Sequence, residues 1–303
     1  MKAVLIRLIT PLLFWSCPWV FSEEAEYIFS IGSKAPGRVA YEAELLQHLL
    51  DVSSPTHGKA SLKLDDRKLA TLRLWNEAHD GKNTHIVTSS NWQALENTPF
   101  EIIRIPIPIQ NGLLGYRKCL ALESSLHEIN GISDSQTFRK LVVGQAEGWR
   151  DVNRYQESNI PVVVSPRYEN LVPMLFAKRF TCLPLGILEV DAIAEKNEGV
   201  AIAEQLIIFY KLEVYIGVTA KLPELASRLH EGLKEIKANG EFDTLFYKHY
   251  RQAIDQLNEG ERKVFFLKEA GDTQTKADLI HRHPVHVIDS ITPTSPVTPV
   301  RKK

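Results

Sequence analysis

The chain has 303 residues, of which 44% are hydrophobic and 24% are charged, and its 36 basic residues nearly balance its 37 acidic ones. A chain of this length can bury a substantial core and suits about two domains or lobes. Its near-neutral charge gives no general attraction to nucleic acid or to an anionic membrane, so a nucleic-acid-binding role is disfavoured.

The N-terminus predicts an export signal. Two basic residues precede an apolar stretch over residues 8–21, which is too short and too often broken by proline to span a membrane comfortably. Val20 and Ser22 are small enough for the −3 and −1 positions of a signal-peptidase site. We therefore expect residues 1–22 to be a cleaved signal peptide and the mature protein to be a soluble periplasmic protein.

The three cysteines raise two separate questions. Cys17 could mark a lipoprotein signal, but the Phe-Trp-Ser sequence before it and the proline after it do not fit a lipobox, so lipid anchoring at Cys17 is not expected. Cys119 and Cys182 remain in the mature chain. In an oxidising compartment they could form a disulfide or stay as two buried free thiols, and their spacing does not decide between these alternatives.

Strand and helix patterns alternate in the first third of the chain. Residues 26–31 predict a strand, and an amphipathic helix follows over 40–50. A second helix is predicted over 66–79, and the strand that follows it, 84–91, ends in hydroxyl side chains. The alternating prolines of EIIRIPIPI (101–109) forbid a central strand, so this segment should lie at a sheet edge or cross between lobes.

The rest of the chain continues this alternation. Further strands are predicted at 115–122, 141–145, 160–165, 206–210 and 214–219. Helices are predicted at 149–158, 167–179 and 223–240, the last of them opened by Pro223 and closed by Gly240. Alternating strands and helices indicate an α/β fold with largely parallel sheets. The tail over 290–303, rich in proline and threonine, is expected to be disordered.

Six stretches occur in an order that is typical of a known family. They are LGYR (114–117), VGQAEGWRDV (143–152), YENLVPMLFAKRF (168–180), LPLGILEV (183–190), VYIGVTAKLPELASRL (214–229) and GLKEIKANGEFDTLF (232–246). In this respect the chain resembles periplasmic solute-binding proteins of the amino-acid-binding type, as a divergent stand-alone branch. The resemblance implies a two-lobed, type II periplasmic-binding-protein-like fold of the α/β class, in which each lobe is a mainly parallel sheet flanked by helices.

The resemblance also implies how the chain is divided between the lobes. Lobe one would comprise residues 23–112 and a returning segment, 212–289, and lobe two would comprise residues 113–211. Between them a cleft would close by a hinge motion over a small polar ligand, which closure buries from both sides.

In lobe two, the loop after the strand at 141–145 is expected to meet the ligand. Gln145 and the backbone amides near Gly148 would donate hydrogen bonds to a carboxylate, because a glycine turn that leads into a helix presents free N–H groups. Trp149 would supply an apolar surface. The alternative for Trp149 is packing within its own lobe.

In lobe one, Ser89, Ser90 and Asn91 end a strand and can offer hydroxyl and amide groups to a ligand. The alternative is ordinary turn chemistry, which these residue types also favour. Trp92, which follows, is expected to cap the core.

Arg117 and Arg179 are the charged candidates, because a guanidinium can bind a carboxylate with two hydrogen bonds. Each could instead form a salt bridge within its lobe. Glu189 could pair with either arginine or with a ligand amine.

Two positions depart from the pattern of the family that the chain resembles. Members usually carry an arginine shortly after the lobe-one strand, where this chain has Asn91, Trp92 and Gln93. Thr181 stands where related sequences usually have an aspartate, the partner of an α-amino group. A conventional amino acid ligand is therefore in doubt.

Catalytic motifs are not found in the sequence: there is no G-x-S-x-G elbow, no H-E-x-x-H and no P-loop. His281, His283 and His286 could ligate a metal, but a solvated histidine-rich turn is the preferred interpretation. We therefore expect no enzyme activity, no metal and no cofactor.

The sequence leads us to expect an exported, monomeric solute-binding protein that captures a small, amino-acid-like ligand for a membrane transporter or a sensor kinase. The first alternative is a protein-interaction module that kept the fold and lost the ligand. An uncharacterised periplasmic enzyme is the second.

Overall fold

The computed structural model describes residues 24–32, 36–67, 69–95, 98–259, 262–267 and 287–291. The predicted export signal with Cys17, and the histidines at 281, 283 and 286, lie outside these ranges. Within them, no helix combines the length and the apolar character that a membrane crossing requires.

The first part of the chain forms most of lobe one. Its elements are β1 (Ala25–Ser30), α1 (Pro36–Val52), α2 (Ser54–His57), β2 (Ala60–Asp65), α3 (Thr71–Asp80), β3 (Ile86–Ser89), a 3-10 turn (Trp92–Leu95) and β4 (Ile102–Arg104).

The middle of the chain forms lobe two. Its strands are β5 (Tyr116–Leu122), β6 (Val143–Ala146), β7 (Val162–Ser165), β8 (Leu183–Gly186) and β9 (Val200–Phe209). Its helices are α4 (Leu126–Asn130), α5 (Ser135–Phe138), α6 (Asp151–Glu157), α7 (Leu171–Phe176) and α8 (Val190–Ala194). Single 3-10 turns occur at Leu113–Gly115, Glu123–Ser125 and Tyr168–Asn170.

The chain then returns to lobe one before it ends in lobe two. The remaining elements are β10 (Tyr215–Thr219), α9 (Pro223–Ala238), α10 (Glu241–Asn258), β11 (Lys263–Leu267) and β12 (Val287–Ile291). The strands of lobe one have the order β2-β1-β3-β10-β4, and the larger sheet of lobe two has the order β12-β11-β9-β5-β8. β4 is thus an edge strand, as the prolines that follow it predict.

The α/β fold with sheets flanked by helices is as predicted, while both sheets mix parallel and antiparallel pairs where mainly parallel ones were expected. In lobe one, β1 is parallel to β2 and β3, but β10 is antiparallel to β3 and β4. In lobe two, β5 is antiparallel to both β8 and β9, whereas β9, β11 and β12 are parallel. The antiparallel pairs arise because β5 and β10 each begin where the chain enters a lobe from the other one.

The C-terminal part of the chain contributes elements to both lobes. Of the segment 212–289, β10, α9 and α10 belong to lobe one, but β11 pairs with β9 and β12 pairs with β11 in lobe two. β12 includes Ser290 and Ile291, where a disordered tail was expected to begin. The remainder of that tail lies outside the described residues.

Lobe one owes its core to the apolar faces of its long helices. In α1, Tyr41 and four leucines are fully buried, and in α9 Leu229, Leu233 and Ile236 are fully buried at the spacing of one helix face. Arg228 of α9 ties these helices together, since its guanidinium donates to Ser53 Oγ (2.8 Å) and to the carbonyls of Leu50 (2.7 Å) and Gly58 (2.8 Å).

Two of the connections between the lobes run side by side. The segment before β5 is hydrogen-bonded to the segment around β10, through Ile105 N–H to Ile216 O and Ile109 N–H to Val214 O, both 2.9 Å. Gly115 lies at the point where the two connections meet. A Cβ atom there would lie 2.1 Å from the carbonyl oxygen of Tyr210, so only glycine fits without a backbone shift.

Cys119 of β5 and Cys182, which precedes β8, form a disulfide, with the Cα atoms 5.3 Å apart and both side chains fully buried. Of the two alternatives that the sequence leaves open, the structure has the disulfide. Cys182 also forms an isolated bridge with Val143, which attaches β6 and β7 to the larger sheet of lobe two.

Candidate functional site

A cavity of about 330 Å³ lies between the two lobes. Residues from both lobes and from the connections line it: Arg38, Ser90, Asn91, Leu114, Arg117, Gly148, Trp149, Arg150, Asp151, Pro184, Gly186, Leu188, Glu189 and Leu212. Its size is within the range of about 300–1,000 Å³ that is usual for small-molecule sites. The predicted candidates among these residues are Ser90, Asn91, Arg117, Gly148, Trp149 and Glu189.

The turn after β6 forms one wall of the cavity. Gly148 has a φ of +78°, a conformation that favours glycine, and this lets the chain turn from β6 into α6. Trp149 is half-buried, packs against the core of lobe two and lies 5.7 Å from the ring of Tyr168, while its side chain also lines the cavity. Trp149 thus packs within its own lobe and also borders the cavity.

The backbone amides of this turn are largely engaged within lobe two. Glu147 N–H donates to Ser165 O (2.8 Å), and Trp149 N–H donates to Ala146 O (3.2 Å). The helix that follows, α6, has only seven residues. The turn thus contributes the Trp149 side chain to the cavity rather than a helix N-terminus that is open to a ligand.

Arg117 lines the cavity, but its guanidinium is held by lobe two. Its Nε and Nη2 atoms each lie 3.2 Å from Asp151 Oδ2, and Nη1 donates to the carbonyl of Leu114. The guanidinium also lies 5.1 Å from the ring centre of Tyr210. Arg117 therefore acts as a fixed part of the cavity wall, and the salt bridge within its lobe is the alternative that the structure shows.

The surroundings of Arg117 fix its charge. Burial by itself lowers the pKa of the guanidinium, but the nearby Tyr210, Asp151 and other polar groups outweigh this effect, and the pKa is raised above its usual value. Burial also raises the pKa of the Tyr210 and Tyr155 hydroxyls well above their usual range. The arginine thus stays charged and the two tyrosines stay neutral near neutral pH.

Glu189 lines the cavity next to β8. Its Oε1 accepts a hydrogen bond from the backbone N–H of Gly186 (3.0 Å). A Cβ atom at Gly186 would lie 3.2 Å from both Arg117 Nη1 and Glu189 Oε1, so the glycine leaves room for these two side chains. Glu189 thus lies near Arg117.

Lobe one contributes the end of β3 and the start of α1. Ser90 and Asn91 line the cavity, whereas Ser89 accepts the N–H of Asn91 on its Oγ (3.0 Å), which is turn chemistry. Trp92 packs against the core around Trp75, with ring centres 5.1 Å apart, and donates its Nε1–H to Ser89 O (2.8 Å).

One hydrogen bond joins the two walls directly. Arg150, which precedes α6 in lobe two, donates from Nη1 to the carbonyl oxygen of Ser90 in lobe one at 3.1 Å. Because the donor and the acceptor belong to different lobes, this bond depends on how closely the lobes approach. Arg150 also lines the cavity.

Four predicted site residues are not among those that line the cavity, namely Ser89, described above, Gln145, Arg179 and Thr181. Gln145 is fully buried on β6, and neither atom of its side-chain amide has a hydrogen-bond partner among the described residues. Arg179 is exposed on the surface of lobe two. Thr181 is also exposed, and its hydroxyl bonds to the backbone N–H (3.2 Å) and carbonyl (3.1 Å) of Val142. These positions offer no contact with a ligand in the cavity as it stands.

The described residues contain no cluster of three or more histidine, cysteine or acidic side chains that could hold a metal ion.

No protein-family model and no curated protein matches the chain. Solved structures do match. The probable amino-acid ABC transporter extracellular-binding protein YtmK from Bacillus subtilis is similar with a TM-score of 0.54 and 13% identity, over 75% of this chain and 97% of that chain. An ancestral arginine-binding protein bound to arginine has a TM-score of 0.51 and 13% identity, over 75% of this chain and 99% of that one. This chain has the type II periplasmic binding protein fold.

In this periplasmic binding protein fold, the cavity described above lies between the two lobes. Sequence reasoning missed three charged residues that line it: Arg38, Arg150 and Asp151. Arg150 and Asp151 directly follow Trp149, so the charge pattern of the predicted loop was a usable signal. Arg38 lies at the start of a predicted helix near the end of a strand, and nothing in its local sequence distinguishes it from a solvated arginine.

Proposed function

We propose that this protein captures a small polar ligand between its lobes and releases it when they separate. The observation that carries the proposal is the cavity of about 330 Å³ that both lobes line, with Trp149 on one side and Ser90 and Asn91 on the other. A cavity of this kind buries a small ligand from two sides, so each lobe adds contacts when the cleft closes.

The hydrogen bond between Arg150 and the Ser90 carbonyl supports a closing motion. It joins the lobes at the rim of the cavity and is lost when they move apart, so it favours the closed arrangement. Ligand contacts that span the two walls would act in the same direction, because a ligand shifts an equilibrium towards the state to which it binds more tightly.

We extend the proposal to the protein's cellular role. The similar solved proteins are described as amino-acid or arginine binders, one of them a probable component of an ABC transporter. On this basis an amino-acid-like ligand delivered to a membrane transporter is the working hypothesis, with a sensor kinase as the other receiver. Export to the periplasm and a monomeric state belong to the same proposal. N-terminal sequencing of the periplasmic protein should then give Glu23 as the first residue, and an intact Met1 would contradict cleavage.

Ligand binding is tested by thermal shift and calorimetry on the purified protein with amino acids, polyamines, small carboxylates and sugars. A ligand that binds only the folded state at a hundredfold excess over its dissociation constant stabilises it by about 2.7 kcal/mol. Trp149→Ala should lower the affinity at least tenfold, because it removes an apolar wall of the cavity.

Tyr247→Ala is the matched control, because Tyr247 is an exposed aromatic residue of α10 outside the cavity. It should leave the affinity unchanged. A folded protein that responds to no compound would contradict the proposal and favour the protein-interaction module. Equal loss of binding in both variants would contradict the assignment of the cavity.

A further inference from the structure

The polar groups that line the cavity differ in whether they already form ion pairs or hydrogen bonds within the protein. Asp151 is paired with Arg117, and Glu189 accepts the N–H of Gly186. A carboxylate has acceptor sites beyond one hydrogen bond, but Glu189 also lies beside the Arg117 guanidinium, whose charged form it stabilises. Both carboxylates of the cavity therefore lie around this one buried cation. An ammonium group that drew either of them away would weaken the charge balance of Arg117, which is unfavourable for a charge away from water.

Arg38 is arranged differently. Its Nε donates to Glu42 Oε1 at 2.7 Å, one turn along α1. Glu42 is fully buried and also accepts hydrogen bonds from Thr88 Oγ1 (2.5 Å) and Gln110 Nε2 (3.3 Å). The carboxylate is thus held by two further elements of lobe one, and it fixes the direction of the Arg38 guanidinium.

This arrangement leaves the outer edge of the guanidinium for a ligand. Arg38 uses its Nε atom for the hydrogen bond to Glu42, and its side chain lines the cavity. The two terminal nitrogens form the edge that matches the two oxygens of a carboxylate. A guanidinium held from behind in this way loses little conformational freedom when it binds.

The remaining lining favours an apolar body on the ligand. Leu114, Leu188 and Leu212 line the cavity together with Trp149. Leu114 and Leu212 belong to the connections between the lobes and Leu188 follows β8, so apolar side chains face the cavity from several directions.

From these observations we infer that the ligand is a small organic acid: one carboxylate bound by Arg38, an apolar body against Trp149 and the leucines, and no ammonium group. Leucine-like 2-hydroxy or 2-oxo acids and aryl-substituted acids have this chemistry. The inference rests on the proposed function and narrows it, since it excludes the zwitterionic amino acids that the working hypothesis includes.

One further acidic residue, Glu147, directly precedes Gly148 of the cavity wall. It is exposed and lines a second cavity, which shares Trp149 with the first and also includes Asn153 and Val164. A solvent-exposed carboxylate attracts an ammonium only weakly. It therefore does not supply the amine site that the main cavity lacks.

The test compares pairs of compounds that differ only in the ammonium group. Calorimetry on the full protein would use leucine with 2-hydroxyisocaproate, phenylalanine with phenyllactate, and alanine with lactate. We expect the hydroxy acid of at least one pair to bind at least tenfold more tightly than its amino acid. Amino acids that bind equally well or better would overturn the inference but leave the proposed function standing. A protein that binds no compound of the panel, amines and sugars included, would overturn both.

Variants locate the carboxylate. Arg38→Gln alone would strand the buried Glu42, so the informative variant is Arg38→Gln/Glu42→Gln, which keeps hydrogen-bonding groups at both positions. It should weaken the hydroxy acid at least tenfold, whereas Glu42→Gln alone should retain most of the affinity. Arg73→Gln is the matched control, because Arg73 forms the same i,i+4 pair with Glu77 on the exposed surface of α3. Unchanged binding in the folded double variant would overturn the role of Arg38.

Discussion

The two lobes have the same kind of architecture but are stabilised by different means. Lobe one is covered by α1, α9 and α10, which have 16 to 18 residues each. The described helices of lobe two have at most seven residues, the length of α6. Short helices have little stability of their own. Lobe two instead depends on links between distant parts of the chain, namely the Cys119–Cys182 disulfide and the C-terminal strand β11.

β11, like its neighbour β9, contributes residues to both cores. Its residues alternate: Val264 and Phe266 belong to the hydrophobic cluster that contains the long helices of lobe one, and Phe265 and Leu267 belong to the cluster of lobe two. Such alternation is expected of a strand that is buried on both faces. Both lobes are thus completed by segments from late in the chain: long helices complete lobe one, and a strand completes the sheet of lobe two.

The largest expected effect comes from β11. Phe266 is fully buried, and its ring lies 5.5 Å from that of Phe209 in β9. Phe266→Ala should lower the free energy of unfolding by about 3–5 kcal/mol, because it removes a large buried ring and leaves a cavity. Urea denaturation measures this change. The exposed Tyr247→Ala should change the free energy by less than about 0.5 kcal/mol. A similarly small effect for Phe266→Ala would show that β11 is not part of the core.

The second-largest effect on stability is expected from removal of the disulfide, which lies within lobe two. Cys119 and Cys182 are 63 residues apart in sequence. Their replacement by alanine should lower the free energy of unfolding by about 2–4 kcal/mol, since the link restricts the unfolded chain. Reductant should destabilise the native protein by a similar amount once the buried bond is reduced, and it should not affect the variant. A variant as stable as the native protein would show that the disulfide does not contribute to the stability of lobe two.

The smallest expected effect is a loss of stability at acidic pH that arises in lobe one. Asp65 ends β2, where Arg67 pairs with its carboxylate and Ser30 donates a hydrogen bond of 2.6 Å, and its pKa is lowered from 3.8 to about 2. A carboxyl group whose folded pKa is lowered stabilises the protein above its unfolded pKa, and this contribution is lost as the pH falls from about 4 to about 2. Because Arg67 is partly exposed, the loss should be about 1 kcal/mol.

Unfolding by urea at several pH values checks this prediction. Asp65→Asn should have a flatter pH dependence than the native protein over this acidic range, with little difference between the two slopes near neutral pH. Parallel pH profiles throughout would show that Asp65 contributes no pH-dependent stability to lobe one.

Much of lobe one could be predicted from local patterns. The spacing of the leucines in α1 and α9 indicates amphipathic helices, and the prolines after β4 indicate an edge strand, because both signals depend only on neighbouring residues. Neither β2 nor α10 is among the predicted elements. The buried Phe242, Phe246 and Tyr250 of α10 are spaced four residues apart, so a helical signal was present there.

The candidate site could be predicted only in part. The turn that carries Gly148 and Trp149 has a local signature, and both residues line the cavity. Arg117 and Arg38 are indistinguishable by residue type and both line the cavity, yet Arg117 pairs with Asp151 and Arg38 pairs with Glu42. The partner of Arg117 is Asp151, 34 residues away in the chain. The partner of Arg38 is Glu42, which is held in turn by Thr88 of β3.

The sequence by itself determined the α/β class, the amphipathic helices α1 and α9 and the turn after β6, because periodicity and turn chemistry are local properties, and its resemblance to periplasmic binding proteins indicated the two lobes. Only the tertiary structure decided that the sheets are mixed, that β11 and β12 complete lobe two, that Cys119 bonds to Cys182 and that Arg38 faces the cleft. Each of these outcomes joins residues that are distant in the chain, and no local pattern records which distant partner packs most favourably.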